Sequence, residues 1–402
     1  MGKNANYIGQ PIFTQLLKLL PKEEIASITR DFKSDYYTKN FKTYDHLVTM
    51  LYGTFHNCRS IREVTTGMMA CHGKLQHLGL IDYPKRSTLS DANKRRDSSV
   101  FESIYFALFK MYKPFLSDSR TKGAIDKRLY IVDSTTISLF QDVLKNAGRP
   151  PVSGKSKGGI KAHVLINAQH DVPCLVRMTK ASASDSPFLK KINLPEKSIL
   201  VFDKGYLSFE QYERFDKEGI SWITRKNKRS VVEVKESRVV DQQQKLNGVL
   251  KDELVILGNK TNKKQIRIEA RLVEYYDQLT GKTFEFITNN EEMQPSTIAQ
   301  LYERRWQIES LFKRLKQNNQ LKYFLGDTEN AIRIQIWCTL IADIIIKIIQ
   351  NKVKRSWSFA NLSSMIRIHL MSYTSLCLFL ENPEKSHFDD KQTNQLSLFS
   401  ST

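Results

Sequence analysis

The sequence predicts an α/β protein with a helical first third and a mixed core interrupted by an all-β insertion, and three observations carry that reading. Residues 1–120 repeat apolar side chains at three- and four-residue spacing, without strand-like alternation. From Arg128 the texture changes to β-branched and aromatic runs ordered as three strands, helix, strand, helix, strand. A helix former at 301–316 then follows only after a long, glycine-punctuated stretch of further strands. The element order is that of a ribonuclease-H-like catalytic core.

Composition sets the bounds. With 402 residues and 41% apolar content, the chain can bury one large core or two to three smaller ones. Sixty-two basic against forty-two acidic residues give a net charge of +20, so a polyanion is the expected partner. A membrane surface is the competing reading. No uninterrupted apolar run reaches the length of about eighteen residues that spanning requires, and 334–349, broken by Asp343 and Lys347, reads as a buried helix. The N-terminus, MGKNANYIGQPIF, lacks the apolar centre of a signal peptide. Five scattered cysteines without C-x-x-C spacing indicate a reducing cytosol. Cys71-His72 with His77 lacks the second cysteine that a zinc site wants.

Within the first third, helices are expected over 11–20, 44–58, 61–71 and 100–112. Ser87 suits a helix N-cap, after which Leu89 and Ala92 face inward while Asn93, Lys94 and Arg96 face out. A short helix, a connection at 73–79 and this basic helix suggest a helix-turn-helix-like DNA reader contacting DNA through Lys94 and Arg96. The plain alternative is an ordinary basic surface helix.

In the core, strands are expected over 128–140, 162–167 and 172–179, joined as a meander by the turn at Gln169-His170-Asp171. A short helix opens at Ser186-Pro187, a fourth strand covers 198–202, a helix 208–217 and a fifth strand 220–224. Asp133 lies within the first strand and Asp203 at the end of the fourth. First and fourth strands are neighbours in a ribonuclease-H-like sheet, so the two carboxylates should lie side by side. A buried strand aspartate costs several kcal/mol unless it is compensated. A hydrogen-bonded turn explains Asp203 equally well, but it explains Asp133 poorly.

The stretch 301–316, LYERRWQIESLFKRLK, has no Gly or Pro and is entered through Pro295-Ser296-Thr297, so one helix from about 295 is expected. At about 100° per residue, Tyr302, Arg305, Glu309, Lys313 and Lys316 share one polar stripe and Leu301, Ile308, Leu311, Phe312 and Leu315 the buried arc. Taken alone, the stripe reads as a solvated charged face. The spacing Tyr302, Arg305, Glu309, Lys316, however, resembles the Tyr-Arg-Glu-Lys signature of bacterial cut-and-paste transposases of insertion sequence family 4, and Asp203-Lys204-Gly205-Tyr206 resembles that family's Asp-x-Gly-Tyr. The likeness covers about 128–318 well and the N-terminal third loosely.

The resemblance implies a DDE transposase that cleaves transposon ends and joins them to target DNA, with Asp133, Asp203 and Glu309 catalytic. These three would hold two Mg²⁺ ions, with Mn²⁺ as a substitute, since hard divalent cations take oxygen ligands. Tyr302, Arg305, Lys313 and Lys316 would grip phosphates, Trp306 would stack on a displaced base, and Arg225 would lie along the DNA path with Lys155, Lys157, Lys161, Lys226, Lys228 and Arg229. Relatives bind terminal inverted repeats through an N-terminal helical domain and act as dimers. The hairpin route some relatives use is not readable from sequence.

Strand-like runs at 230–234, 238–240, 253–257, 265–273 and 283–288 form the insertion, and 330–350 and 359–380 the closing helices. The resulting division is a helical DNA-binding domain over 1–120, a first core part over 121–229, the β insertion over 230–288, the second core part over 289–350, and a C-terminal helix with flexible tail over 351–402. In that tail Gln395, Leu396, Leu398 and Phe399 resemble the peptide by which bacterial DNA enzymes bind the replicative sliding clamp. The expected location is the bacterial cytoplasm, at the nucleoid. Two alternatives stand beside the active enzyme: a catalytically silent transposase-derived DNA-binding protein, and a structure-specific nuclease of the same fold.

Overall fold

The computed structural model describes residues 10–116, 125–138, 159–228, 230–259, 267–318, 321 and 323–384. Two compact units emerge: one joins Met1–Leu108 to Trp337–Thr402, and the other is Phe109–Ile336.

The first unit is helical, with α1 (Ile12–Leu17), α2 (Lys22–Asp31), α3 (Thr43–Phe55), α4 (Ile61–Ala70), α5 (Arg86–Arg95) and the first half of α6 (Ser98–Leu116). α4 starts where Ser60 accepts the Glu63 amide at 3.2 Å while Glu63 accepts the Arg59 amide at 2.6 Å, a reciprocal capping arrangement. A 3-10 turn, His72–Leu78, ends at Gly79, whose φ of 76° is left-handed backbone that glycine adopts without strain.

Three details around α5 correct the sequence reading. Its N-cap is Lys85 rather than Ser87. Asn93 is buried, with its side-chain oxygen 2.8 Å from His46 Nε2. Arg96 is buried too: it donates to His46 Nδ1 at 3.1 Å, the Phe41 carbonyl at 3.0 Å and Asp35 Oδ1 at 3.3 Å. Arg96 is thus a structural bracket rather than a DNA contact, because its long side chain finds buried acceptors that leave it no reach to solvent. Lys94 remains exposed.

The second unit is built on one nine-stranded sheet in the order β3-β2-β1-β4-β5-β9-β8-β7-β6. Its strands are β1 (Leu129–Ser138), β2 (Gly159–Asn167), β3 (Pro173–Lys180), β4 (Ile199–Phe202), β5 (Ser221–Arg225), β6 (Ser230–Ser237), β7 (Val249–Asn259), β8 (Ile268–Asp277) and β9 (Lys282–Thr288). β1, β2 and β3 form the expected antiparallel meander, and β1, β4 and β5 run parallel. Helix α7 (Phe209–Lys217) makes the crossover between β4 and β5. On one sheet face Val132, Leu200, Phe202, Tyr206, Tyr212 and Trp222 belong to a single buried cluster.

The β-rich stretch expected as an insertion is hydrogen-bonded into this sheet. β9 pairs antiparallel with β5 on one side and with β8 on the other. Residues 238–240 are not strand, and a short helix α8 (Gln242–Leu246) follows them. Asp252 and Arg271 form a buried two-point ion pair at 2.6 and 2.7 Å, and Arg271 also donates to the carbonyls of Glu291 and Met293 just before the next helix.

The single helix expected over 301–316 is broken. α9 (Pro295–Glu303) stops, the chain turns at Arg304 and Arg305, α10 (Trp306–Lys313) resumes, and a π-helical turn, Arg314–Asn318, ends it. Arg304 reaches Asp126 at 3.0 Å while Arg305 reaches Asp133 and Glu309, so neighbouring arginines are pulled to different acids. Tight three-residue bonds from the Arg305 and Gln307 amides carry the chain through the turn. The polar stripe is accordingly not a solvated face, since Tyr302 and Arg305 are both buried.

α11 (Glu329–Lys352) follows, then α12 (Phe359–Ile368) and α13 (Leu376–Glu381), so the last expected helix is two. α11 is buried along most of its length, and no helix among the described residues is long and apolar enough to cross a membrane. The amides of Ile12 and Phe13 donate to the carbonyls of Ser372 and Leu370, and Gln15 bonds Thr374 and Leu376.

Candidate active site

Strand register sets the two aspartates. Val132 on β1 pairs with Phe202, the last residue of β4, so Asp133 comes next on β1 and Asp203 leaves the end of the neighbouring parallel strand. Side chains alternate along a strand; Val132 and Phe202 point into the apolar cluster, and the aspartates leave by the opposite face. α10 packs on β1 and α9 on β4 and β5, which brings Glu309 and Arg305 to that face.

Arg305 ties the acids together. Its Nη1 donates to Asp133 Oδ2 at 2.9 Å and its Nη2 to Glu309 Oε1 at 2.6 Å. Asp133 Oδ1 accepts the Ser134 amide at 2.7 Å. Asp203 Oδ1 accepts from Arg225 Nη2 at 3.0 Å and from the Tyr302 hydroxyl at 3.4 Å, and its Oδ2 accepts the Gly205 amide at 3.2 Å. The Tyr302 ring lies 5.6 and 5.8 Å from the Arg225 and Arg305 guanidiniums and packs on Phe286 at 4.9 Å.

The two aspartates are shifted in opposite directions. Burial pushes Asp133 up to about 6 despite the Ser134 amide and Arg305, with Asp203 and Glu309 adding repulsion. Burial would also raise Asp203, but the Arg225 hydrogen bond and the Gly205 amide outweigh it and hold the carboxyl below the usual range. Burial raises the Tyr302 hydroxyl to about 12, so it stays a donor. Burial lowers Lys316.

Of the residues singled out in the sequence, Asp133, Asp203, Glu309, Tyr302, Arg305 and Arg225 converge. Trp306 stands beside them 63% exposed, which excludes a packed core role. Lys313 is exposed and Lys316 half-buried. Lys94 and Arg96 belong to the other unit. Lys161, expected on the DNA path, is buried; it donates to the Ala183 carbonyl at 2.7 Å and pairs with Asp185 at 3.1 Å. Lys155, Lys157, Arg229 and the tail residues Gln395, Leu396, Leu398 and Phe399 lie outside the described residues.

Behind Asp133 the sequence reading missed a polar group. Ser134 Oγ donates to Asp185 Oδ1 at 2.8 Å, Lys161 shares that oxygen, and His163 Nδ1 stands 3.6 Å from it. Lys161 and His163 pair with Thr136 and Ser134 across β1 and β2. Two alternating polar residues inside an otherwise apolar strand were the available signal.

Asp133, Asp203 and Glu309 would offer oxygen donors alone, the chemistry that suits a hard divalent cation. Asp133 and Glu309 already converge on one cationic group, the Arg305 guanidinium, so their donor chemistry fits an ion. Among the described residues no three acids, histidines or cysteines form a ready-made metal cage; the guanidinium stands between them.

Acids flanked by arginines and a tyrosine donor have the make-up of a phosphoryl-transfer centre. Residues 125–343 match the family described as "Transposase DDE domain", and the chain belongs to that family. It is a DNA transposase, an enzyme that cleaves nucleic acid and transfers strands. Residues 8–81 match a domain of unknown function (DUF4372).

Three curated relatives agree. "Putative transposase y4zB" of Sinorhizobium fredii is 29% identical over 66% of this chain and 71% of its own. "Putative transposase for insertion sequence element IS4SA" of Synechocystis is 28% identical over 65% and 71%. "Probable transposase for insertion sequence element IS5377" of Geobacillus stearothermophilus is 27% identical over 84% of each. A solved piggyBac transposase synaptic complex with hairpin DNA is a looser likeness, at 10% identity and a TM-score of 0.44 over 93% of this chain and 81% of that one.

Proposed function

We propose that this transposase moves an insertion sequence by cut-and-paste, with Asp133, Asp203 and Glu309 as its catalytic acids. The observation that carries this is that Asp133 and Asp203 directly follow the paired residues Val132 of β1 and Phe202 of parallel β4, with Glu309 joined to Asp133 through Arg305. The ribonuclease-H-like reading of the core is supported by the order β3-β2-β1-β4-β5, antiparallel in its first half and parallel in its second.

Two Mg²⁺ ions held by the three acids, or Mn²⁺ in their place, would activate the attacking oxygen and stabilise the leaving one. Arg305, with its Nε buried and without a hydrogen-bond partner, turns from the acids to a phosphate flanking the scissile bond, which a guanidinium grips at two points. Arg225 keeps Asp203 ionised. The Tyr302 hydroxyl donates to a phosphate oxygen, Lys313 and Lys316 follow the backbone beyond, and Trp306 receives a displaced base.

The remaining roles follow the division given above. The helical N-terminal domain, through Lys94 among others, holds the terminal inverted repeats. The β-rich stretch of 230–288 extends the DNA surface, two copies hold two ends in a synaptic homodimer, and the work takes place at the cytoplasmic nucleoid. The tail peptide recruits the sliding clamp, and deleting 395–399 should weaken clamp binding while sparing cleavage.

The test uses purified chain and linear DNA bearing the inverted repeats that flank the gene. Glu309→Gln should bind that DNA normally and lose more than about 100-fold in divalent-dependent nicking, since even outer-shell changes at metal sites cost 10–100-fold. Nicking retained by Glu309→Gln would end the assignment.

A further inference from the structure

We infer that the groove between the 32–41 turn and α5 in the helical unit is a binding site for an unpaired DNA strand. It is an open groove of about 1110 Å³, slightly larger than the usual range of ligand-sized clefts. Lys33, Lys39, Lys94 and Arg95 line it together with Tyr36 and Tyr37. Asp91 and Asp97 also line it, and Asp91 pairs with Arg95 at 2.9 Å.

The aromatic pair is the first reason. Tyr36 is 67% and Tyr37 94% exposed, with ring centroids 4.3 Å apart in an edge-on arrangement. Two adjacent tyrosines open to water offer aromatic ring surface to a partner. Their faces suit bases, and a base is available for stacking only when it is out of a duplex.

The second reason is that the wall is built. Tyr37 and Lys33 hold φ of 59° and 49°, conformations that bulky side chains rarely adopt. The turn keeps them because Asp35 Oδ1 accepts both the amide and the hydroxyl of Thr43 at 2.7 Å, while Arg96 grips Asp35 and the Phe41 carbonyl. The buried bracket that removes Arg96 from DNA thus presents the lysines and tyrosines to it. Cations beside exposed aromatic rings are the combination that tracks a single strand, the cations meeting phosphates and the rings meeting bases.

The proposal rests on DNA being the substrate and is independent of the catalytic acids. The full chain is titrated by fluorescence anisotropy with oligothymidylate and with duplex DNA over a range of salt, and oligothymidylate carrying 5-iododeoxyuridine is photocrosslinked and mapped by mass spectrometry. Crosslinks at Tyr36 or Tyr37 are expected. Tyr36→Leu with Tyr37→Leu should weaken oligothymidylate binding roughly ten-fold or more and duplex binding far less. Lys33→Gln with Lys39→Gln should flatten the single-strand salt dependence by roughly 1.4 in logarithmic slope, for two phosphate contacts. Crosslinks confined to other segments, unchanged affinity in the tyrosine variant, or equal losses for duplex and single strand would overturn the proposal. Wild-type chain that fails to nick terminal repeats would instead count against the catalytic reading and leave these binding readouts intact.

Discussion

Arg305 Nη2 lies 2.6 Å from Glu309 Oε1, one helical turn along the same segment, and the same guanidinium holds Asp133 at 2.9 Å. A single guanidinium thereby bridges two acids that would otherwise repel, offsetting one of their two charges. Arg305→Ala in metal-free protein should lose about 2–4 kcal/mol, a buried-pair cost reduced for the partial exposure of Glu309. Mg²⁺ should raise the melting temperature of this variant more than that of the wild type, because the freed acids then take the ion. Equal shifts in the two proteins would show that arginine and metal do not compete.

The helical unit should be acid-sensitive through His46. Burial first, and the Arg96 charge second, push this imidazole down to about 3 against the opposing Asn93 bond. The unfolded chain therefore binds a proton that the folded one refuses, and stability falls as pH drops below the ordinary histidine value. Between pH 7 and 5 the loss from this group is about 2 kcal/mol. His46→Gln should flatten that part of the pH–stability curve, read by thermal denaturation at each pH.

Removing Arg271 should unfold more than its own surroundings. Its two-point bond to Asp252 is buried, and its remaining nitrogen holds the carbonyls ahead of α9. Arg271→Ala should cost about 3–5 kcal/mol and lower nicking by loosening the segment that carries Tyr302. Arg271→Met with Asp252→Leu should recover much of the stability without the activity, a split that denaturant melts and nicking assays on the same samples would reveal.

Trp306→Ala should leave the unfolding free energy within about 0.5 kcal/mol of wild type, as expected for an exposed side chain. Strand cleavage at a transposon end should still fall. A large stability loss would mean that the indole is packed after all.

The core strands were legible because each is a short β-rich run bounded by turns, and register then follows from which faces must be buried. Asp133 stood out for the same reason, as a charge inside an apolar strand. The break between α9 and α10 was not legible: periodicity is a local signal, whereas the residues that draw Arg304 and Arg305 apart, Asp126 and Asp133, lie far back in the chain. Arg96 and Asn93 misled in the same way. Their helix face looked like solvent until His46 and Asp35 were brought against it from another helix and turn. Lys161 belonged on no DNA path because Asp185 claims it.

The helical unit is assembled from both ends of the chain, with backbone amides at Ile12 and Phe13 waiting for carbonyls at Ser372 and Leu370. During synthesis on the ribosome the catalytic unit, Phe109–Ile336, is therefore complete while the earlier-made helices still lack their last partners. That order would reverse the usual N-terminal-first folding: the unit that carries the candidate acids should fold before the body that begins the chain.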